Sequence, residues 1–318
     1  MSAGRSAGEG MADGRARGSE GSDPSPGSKR PPGQEIPRER LPEGFADRVE
    51  KPPEPPAEAR PAATVVLMRA GAGSGDASAA SGLEVLLLRR VRTSGFVPGA
   101  YVFPGGRVDR DDAAGALLER LDGMSADDAA ERLGMAADAE PPAVAYVVAA
   151  LREAFEETGI LVGHDADGAP APSAASDPAV RRLRDDLLAD EDAFPVVLDA
   201  MGCRMDGRAV AYIAHWITPV AEPRRYDTRF FAAAVSPERE ELLNAREMSH
   251  GVWLSPGEAL ARHERGELPM VFPTVRTLED LAAFSSPEAV LAHWADREVP
   301  TVLPRLVRTR TGVGIELD

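Results

Sequence analysis

The segment Arg152-Glu153-Ala154-Phe155-Glu156-Glu157-Thr158-Gly159-Ile160 places three carboxylates where one face of a helix would gather them. Glu153 stands three residues before Glu156 and four before Glu157, and at about 3.6 residues per turn those side chains converge. Like charges at that spacing repel. A compensating cation resolves the conflict, either a divalent metal held by hard oxygens or a neighbouring arginine such as Arg152. A plain solvated acidic face is the competing reading in a chain with 52 Asp+Glu against 36 Lys+Arg.

The surrounding elements weigh toward a built site. Apolar Val144, Val147, Val148, Leu151 and Phe155 recur at helical spacing, so a helix is expected over Ala143 to Thr158, stopped by Gly159 in a left-handed cap. Its stripe would bury against a sheet and leave the acids on the opposite, wet side. Phe103-Pro104-Gly105-Gly106 reads as a glycine turn after strand-like Tyr101-Val102, where bare backbone can approach a ligand. Thr64 to Met68 and Leu83 to Leu88 read as buried strands of a hairpin around the loop Gly71 to Gly82. Further strands are expected near Val108 and at Ile160-Val162, Val210-Thr218, Phe230-Ala234 and Gly251-Leu254, with another helix at Glu258 to Arg265. Mixed strands and helices in this order indicate an α/β fold, a layered α/β/α sandwich with a mixed sheet.

Residue by residue, the glycine turn and acidic helix resemble the signature of Nudix hydrolases, G-x5-E-x7-R-E-U-x-E-E-x-G-U, with U aliphatic. Gly106 matches the opening glycine, and Arg152, Glu153, Glu156, Glu157, Gly159 and Ile160 match the second half. The first glutamate would fall on Asp112, and 39 residues rather than seven separate it from Arg152. The box is split by a helical insertion at about 111–142, with short helices expected around Leu117, Leu118 and Leu121 and around Ala129 and Leu133. Lengthening a surface loop raises its closure entropy only slowly, so such an insertion is tolerable. A second excursion at about 164–200 contains helical Pro178 to Leu188.

The resemblance implies metal-assisted hydrolysis of a diphosphate. Glu153, Glu156 and Glu157, with the Gly106 carbonyl, would bind Mg²⁺ or Mn²⁺, while Arg152 orients the carboxylates. Glu153 and Glu156 are the catalytic members within the box. Glu247 is the candidate general base outside it, with Glu241 and Glu222 behind it, and ordinary surface charge is the alternative for each. The stretch Leu86 to Gly106 is similar to the extra motif of coenzyme A-cleaving members, L-L-T-x-R-[SA]-x3-R-x3-G-x3-F-P-G-G. Leu86, Leu87, Arg90, Gly99 and Phe103 to Gly106 match; Leu88, Val91 and Gly95 depart from it, and Arg92 or Arg89 would have to replace the missing second arginine. Segments around His215-Trp216, Arg225 to Phe231 and Trp253 to Leu260 resemble the split-box branch that includes the mammalian peroxisomal coenzyme A diphosphatase.

Arg90, Arg92, Phe103, Arg225 and Arg229 are therefore the candidate substrate-binding residues. An arginine fork can grip phosphate, although Arg225 and Arg229 are as readily paired with local acids. Tyr226 and Phe231 would either stack on a base or sit in the core, and His215 reads as a satisfied core histidine. Coenzyme A or its acyl esters lead as substrates; ADP-ribose, nucleotide sugars, or a binding-only sensor of such ligands are the alternatives.

Composition sets outer bounds. With 318 residues and 43% hydrophobic content a sizeable core is available, but residues 1–60 are rich in Gly, Pro, Ser, Glu and Arg and are expected to be disordered, leaving 61–318 as the catalytic domain. A formal charge of -16 speaks against a nucleic-acid surface but not against a phosphorylated small molecule. No stretch reads as a signal peptide or membrane span, the lone Cys203 suits a reducing compartment, and the closing residues Ile315 to Asp318 lack a Ser-Lys-Leu address, so a cytoplasmic protein is expected. A homodimer is the partner expected from the resemblance.

Overall fold

The computed structural model describes residues 36–37, 45–71, 82–92, 97–189 and 193–317. Its first elements are a short strand β1 (Ile36–Pro37) and helix α1 (Phe45–Glu50). The disorder expected over residues 1–60 otherwise falls largely outside the described residues, as do most of the Gly71 to Gly82 loop and Gly95. Within 45–60 the chain is helical at α1 and already extended from Ala59, where β2 (Ala59–Ala70) begins.

Strands β2 and β3 (Leu83–Arg90) are continuous apolar runs because both faces of the sheet they form are covered. Alternation divides them. Ala63, Val65 and Leu67 of β2, with Leu86 and Leu88 of β3, face one core. Val66, Met68, Val85 and Leu87 face the other. The expected hairpin is present, with Met68 to Ala70 antiparallel to Val85 to Leu83. β4 (Tyr101–Val102) pairs with β3, and β5 (Gly105–Arg107) pairs with β2 at Ala62 to Thr64.

After β5 come a 3-10 turn at Arg110–Ala113, α2 (Gly115–Leu118), β6 (Leu121–Asp122) and α3 (Ala126–Leu133), which make up the first insertion. Helix α4 (Ala143–Thr158) has the expected bounds and ends on Gly159 at φ +70°. A Cβ there would come 2.7 Å from Ala174 Cβ, so both backbone and space require glycine. The second excursion holds β7 (Gly163–Asp165), α5 (Pro178–Leu188) and α6 (Phe194–Met201), followed by β8 (Cys203–Asp206). β6, β8 and β7 form a small sheet of their own, so the two insertions meet.

The main sheet is completed by β9 (Val210–Ile217), β10 (Arg225–Ala234), β11 (Met248–Leu254) and, after α7 (Pro256–Glu264), α8 (Phe272–Leu281) and α9 (Pro287–Trp294), by β12 (Thr301–Val302). Its order is β11-β3-β2-β10-β9-β12; β2–β10 and β9–β12 are parallel and the rest antiparallel, a mixed sheet. β13 (Arg305–Arg308) and β14 (Gly312–Glu316) form a separate small sheet with β1. Helix α4 and the insertions cover one face of the main sheet, and α7, α8 and α9 cover the other. This is an α/β/α sandwich.

Three local expectations need correction. Ile160 to Val162 is buried coil rather than strand, because the left-handed turn at Gly159 redirects the chain and pairing resumes only at Gly163. β5 stops at Arg107, one residue before Val108, whose N–H nevertheless continues toward the Pro61 carbonyl. The acidic side of α4 is only partly wet: Glu157 is 2% exposed with the Gly105 N–H on its carboxylate, whereas Glu153 and Glu156 keep partial exposure.

Phe155 packs its ring 6.0 Å from Phe194 of α6 and is fully buried. Phe155→Ala is expected to lower unfolding stability by about 3–5 kcal/mol, measured by urea denaturation. A loss below about 1 kcal/mol would mean that the insertion does not brace the helix.

Candidate active site

Gly105 and Gly106 reach the last two turns of α4 because β5 aligns them on Thr64 and Ala63. The Gly105 N–H donates to Glu157 Oε2 at 3.1 Å. A Cβ on Gly106 would fall 2.2 Å from Glu153 Oε1, so glycine is what lets backbone and carboxylate meet. A contact not anticipated in the sequence joins the two halves of the split box across the insertion. Arg152 donates from Nε to Asp112 Oδ1 at 2.8 Å and from NH2 to Asp112 Oδ2 at 3.1 Å, a two-pronged contact to a carboxylate 1% exposed. Its NH1 reaches Glu153 at 2.9 Å and Glu156 at 3.2 Å, and NH2 also donates to the Arg107 carbonyl at 3.1 Å. Asp112 in turn accepts from the Asp109 N–H at 2.7 Å, which fixes the turn that delivers it.

This cluster carries more negative charge than one guanidinium neutralises. Burial pushes the Glu153 carboxyl up to about 7, with Arg152 pulling it back and Glu156 and Glu247 adding repulsion. Burial also raises Glu156 and lifts Glu157 well above the ordinary range; for Glu157, Glu153 adds repulsion and the Gly105 N–H and Arg90 counter it. Among the described residues no three His, Cys, Asp or Glu side chains stand as a ready-made metal cage. The physical reason is local: Arg152 holds Glu153 and Glu156 on one nitrogen, whereas Glu157 is tied to Gly105. The donor set is nonetheless all hard oxygen, its charge is under-compensated, and the Gly106 backbone abuts Glu153, so these residues fit a divalent ion.

Other anticipated residues divide. Glu247 is exposed, on the segment whose carbonyl accepts from Val91 at 2.8 Å, and its charge acts on all three box glutamates. Arg90 lies opposite Met248 in β3–β11 and acts on Glu157; Arg92 is exposed nearby in sequence. Glu241 accepts from Trp253 Nε1 at 2.8 Å, and Glu222 is half-buried beside Arg48 of α1. Phe103 lies away from the glutamate helix: it is 3% exposed and, like Tyr101 two residues before it, packs in the core on the other face of the sheet. Arg225 is spent on the Thr218 and Ala57 carbonyls at 2.9 and 2.7 Å, which pin the start of β10. Arg229 pairs with Asp227 at 3.1 Å and lies over the Tyr146 ring, two turns up α4 from Glu153. Phe231 is core, packed 5.8 Å from Tyr212, and His215 is satisfied by Asp227 and Thr301 at 2.6 and 2.9 Å.

The sandwich, with its R-E-x-x-E-E-x-G helix set against a glycine turn, defines a Nudix hydrolase. The chain belongs to the NUDT19 Nudix domain family, whose model matches residues 59–281. Acyl-coenzyme A diphosphatase NUDT19 of Gallus gallus is 31% identical over 267 residues, covering 69% of this chain and 68% of the relative. The protein of the same name from Homo sapiens is 27% identical over 264 residues, covering 74% and 70%. Among solved structures, a Nudix hydrolase from Alicyclobacillus acidocaldarius superposes with a TM-score of 0.59 at 31% identity, covering 74% of this chain and 96% of that one.

One residue of the site escaped sequence reasoning. Arg184, on α5, is 2% exposed and donates from Nε to the Phe155 carbonyl at 2.9 Å and from NH2 to the Glu156 carbonyl at 2.6 Å. The Phe155 carbonyl already accepts the capping Gly159 N–H at 2.8 Å, and the last turn of a helix carries the negative end of its dipole, so a buried cation there adds a donor to both carbonyls and neutralises that end. Nothing in the polar repeat Arg181-Arg182-Leu183-Arg184 marks which arginine turns inward. Arg184→Met is expected to cost about 2 kcal/mol of stability and to lower kcat more than it raises KM, with Arg184→Lys recovering part of the stability. Unchanged kcat in a folded Arg184→Met protein would separate this arginine from the chemistry.

Proposed function

We propose that this chain is a Mg²⁺- or Mn²⁺-dependent diphosphatase that hydrolyses the diphosphate of coenzyme A or an acyl-coenzyme A. The observation that carries the reading is the under-compensated carboxylate cluster of α4 against Gly105 and Gly106. The names of the chicken and human relatives support the substrate class. Glu153, Glu156, Glu157 and the Gly106 carbonyl would hold the ion, which supplies charge neutralisation at phosphate and activation of water. Water attacks one phosphorus, the bridging P–O bond breaks, and the attacking water's proton passes to Glu247, the proposed general base. Arg152 orients the carboxylates from beneath, and Arg90 and Arg92 are the proposed phosphate contacts; Phe103 and Arg225 no longer belong to that set. A cytoplasmic setting, a homodimer and an N-terminal region separate from the catalytic domain complete the proposal.

ADP-ribose and nucleotide sugars remain the alternatives in substrate. The hold of Arg152 on Glu153 and Glu156 favours one further reading, a ligand sensor without turnover. Chromatography with mass spectrometry after incubation with Mg²⁺ and each substrate decides among these. Coenzyme A is expected to yield adenosine 3′,5′-bisphosphate and 4′-phosphopantetheine, with turnover down at least about 100-fold in folded Glu157→Gln, since even partners of metal ligands matter 10–100-fold. AMP from ADP-ribose alone would redirect the substrate, unaltered turnover in Glu157→Gln would overturn the metal assignment, and the absence of any product would favour the sensor.

A further inference from the structure

The carbonyls that end α4, from Phe155 to Thr158, are taken by two parts of the chain. Arg184 of α5 holds those of Phe155 and Glu156, while the Asn244 N–H donates to the Glu157 carbonyl at 3.0 Å and the Leu242 N–H to that of Thr158 at 2.7 Å. The segment between β10 and β11 is therefore docked on the turn that carries the box glutamates. Glu157 is gripped from both sides, since its carboxylate receives the Gly105 N–H and its carbonyl receives the Asn244 N–H.

Asn244 also builds the turn that delivers Glu247. Its carbonyl accepts the Glu247 N–H at 3.0 Å and the Met248 N–H at 2.8 Å, which closes one helical turn, and its side-chain Oδ1 accepts the Arg246 N–H at 3.2 Å. Asparagine suits this capping position because its side-chain oxygen reaches a backbone N–H two residues on, which alanine would leave unmet. Asn244 is 9% exposed, with that oxygen committed to the turn. The rest of the turn is anchored as well: the Glu247 carbonyl accepts the Val91 N–H at 2.8 Å, Arg246 NH1 donates to the Leu188 carbonyl at the end of α5 at 3.3 Å, and Met248 is buried at the head of β11. From this turn the Glu247 carboxylate is near enough for its charge to act on Glu153, Glu156 and Glu157.

We propose that Asn244 is a positioning residue for the hydrolysis, tying Glu247 to the glutamate-bearing end of α4 through a single residue. The proposal rests on the reading of Glu247 as general base given above. A base acts only within hydrogen-bond reach of the proton it takes, and a misplacement of about 1 Å can cost about 100-fold in rate. The Asn244 N–H on Glu157 and the Asn244 carbonyl and Oδ1 on the Glu247 turn fix that distance.

Amide hydrogen exchange of the full-length protein, in EDTA and without substrate, reads the turn at Arg246 and Glu247. Asn244→Ala is expected to speed both by about fivefold and Asn244→Ser to stay close to wild type, since serine caps nearly as well and alanine does not. With Mg²⁺ and coenzyme A, Asn244→Ala is expected to lower kcat at least about tenfold while KM stays within about twofold, and Asn244→Ser to recover most of the loss. In a Glu247→Gln background the same alanine substitution is expected to cost less than about twofold, because groups that act as a unit do not add. Should Asn244→Ala fold poorly, Asn244→Gln replaces it, keeping the amide but setting it one carbon too far out to cap. A merely structural asparagine would lower kcat by the same factor in both backgrounds; that result, or unaltered exchange in Asn244→Ala, would overturn the proposal and leave the hydrolase reading standing. Full turnover in Glu247→Gln, or none in the wild type, would instead defeat the base or the hydrolase reading, and the positioning role with it, even with exchange as expected.

Discussion

Arg152 is the interaction on which the site depends. Its guanidinium joins Asp112, Glu153, Glu156 and the Arg107 carbonyl, and so ties the turn after β5 to the last turns of α4. Four carboxylates within reach of one another would drive these segments apart if they were left alone, and burial makes the repulsion larger. A lysine would not serve equally, because a single ammonium cannot present a planar fork to Asp112 while reaching two glutamates with another nitrogen. The insertion between Asp112 and Arg152 is tolerated for the same reason: the contact is specified by the geometry of its two ends, whatever the length of chain between them.

Much of the scaffold was legible because periodicity reports burial. The bounds of α4 followed from its apolar stripe and from Gly159, and the central strands followed from two apolar runs that only a sheet covered on both faces could accommodate. What escaped was the part decided by long-range packing. Glu157 looks like a surface acid in sequence, yet it is buried with the Gly105 N–H of the glycine turn on its carboxylate. Phe103 looked available to a ligand because it precedes the glycine turn, but strand parity turned it into the opposite core. The polar character of α5 concealed Arg184, since an inward arginine and an outward one have the same sequence signature.

The two insertions act as a single buttress. β6 comes from the first, β7 from the second, and both pair with β8. Arg204 of β8 reaches Asp122 of β6 at 2.7 Å, so charge as well as backbone joins them. From this shared platform α3 and α5 both lie against α4, one near its start and the other near its end. Family membership explains why such a domain has its glutamate helix; the insertions explain how that helix is held along its length in this chain.

The parallel pairing of β2 with β10 sets Ala59 beside Arg225 and Met68 beside Ala234. Partners so distant in sequence make this a fold of high contact order, in which chain entropy must be lost before the central sheet is complete. During synthesis β2 emerges long before β10, and its apolar edge stays open while both insertions are being made. The interval between those two strands is thus the period in which the nascent chain is most exposed to aggregation, and the time when a holding chaperone would act with greatest effect.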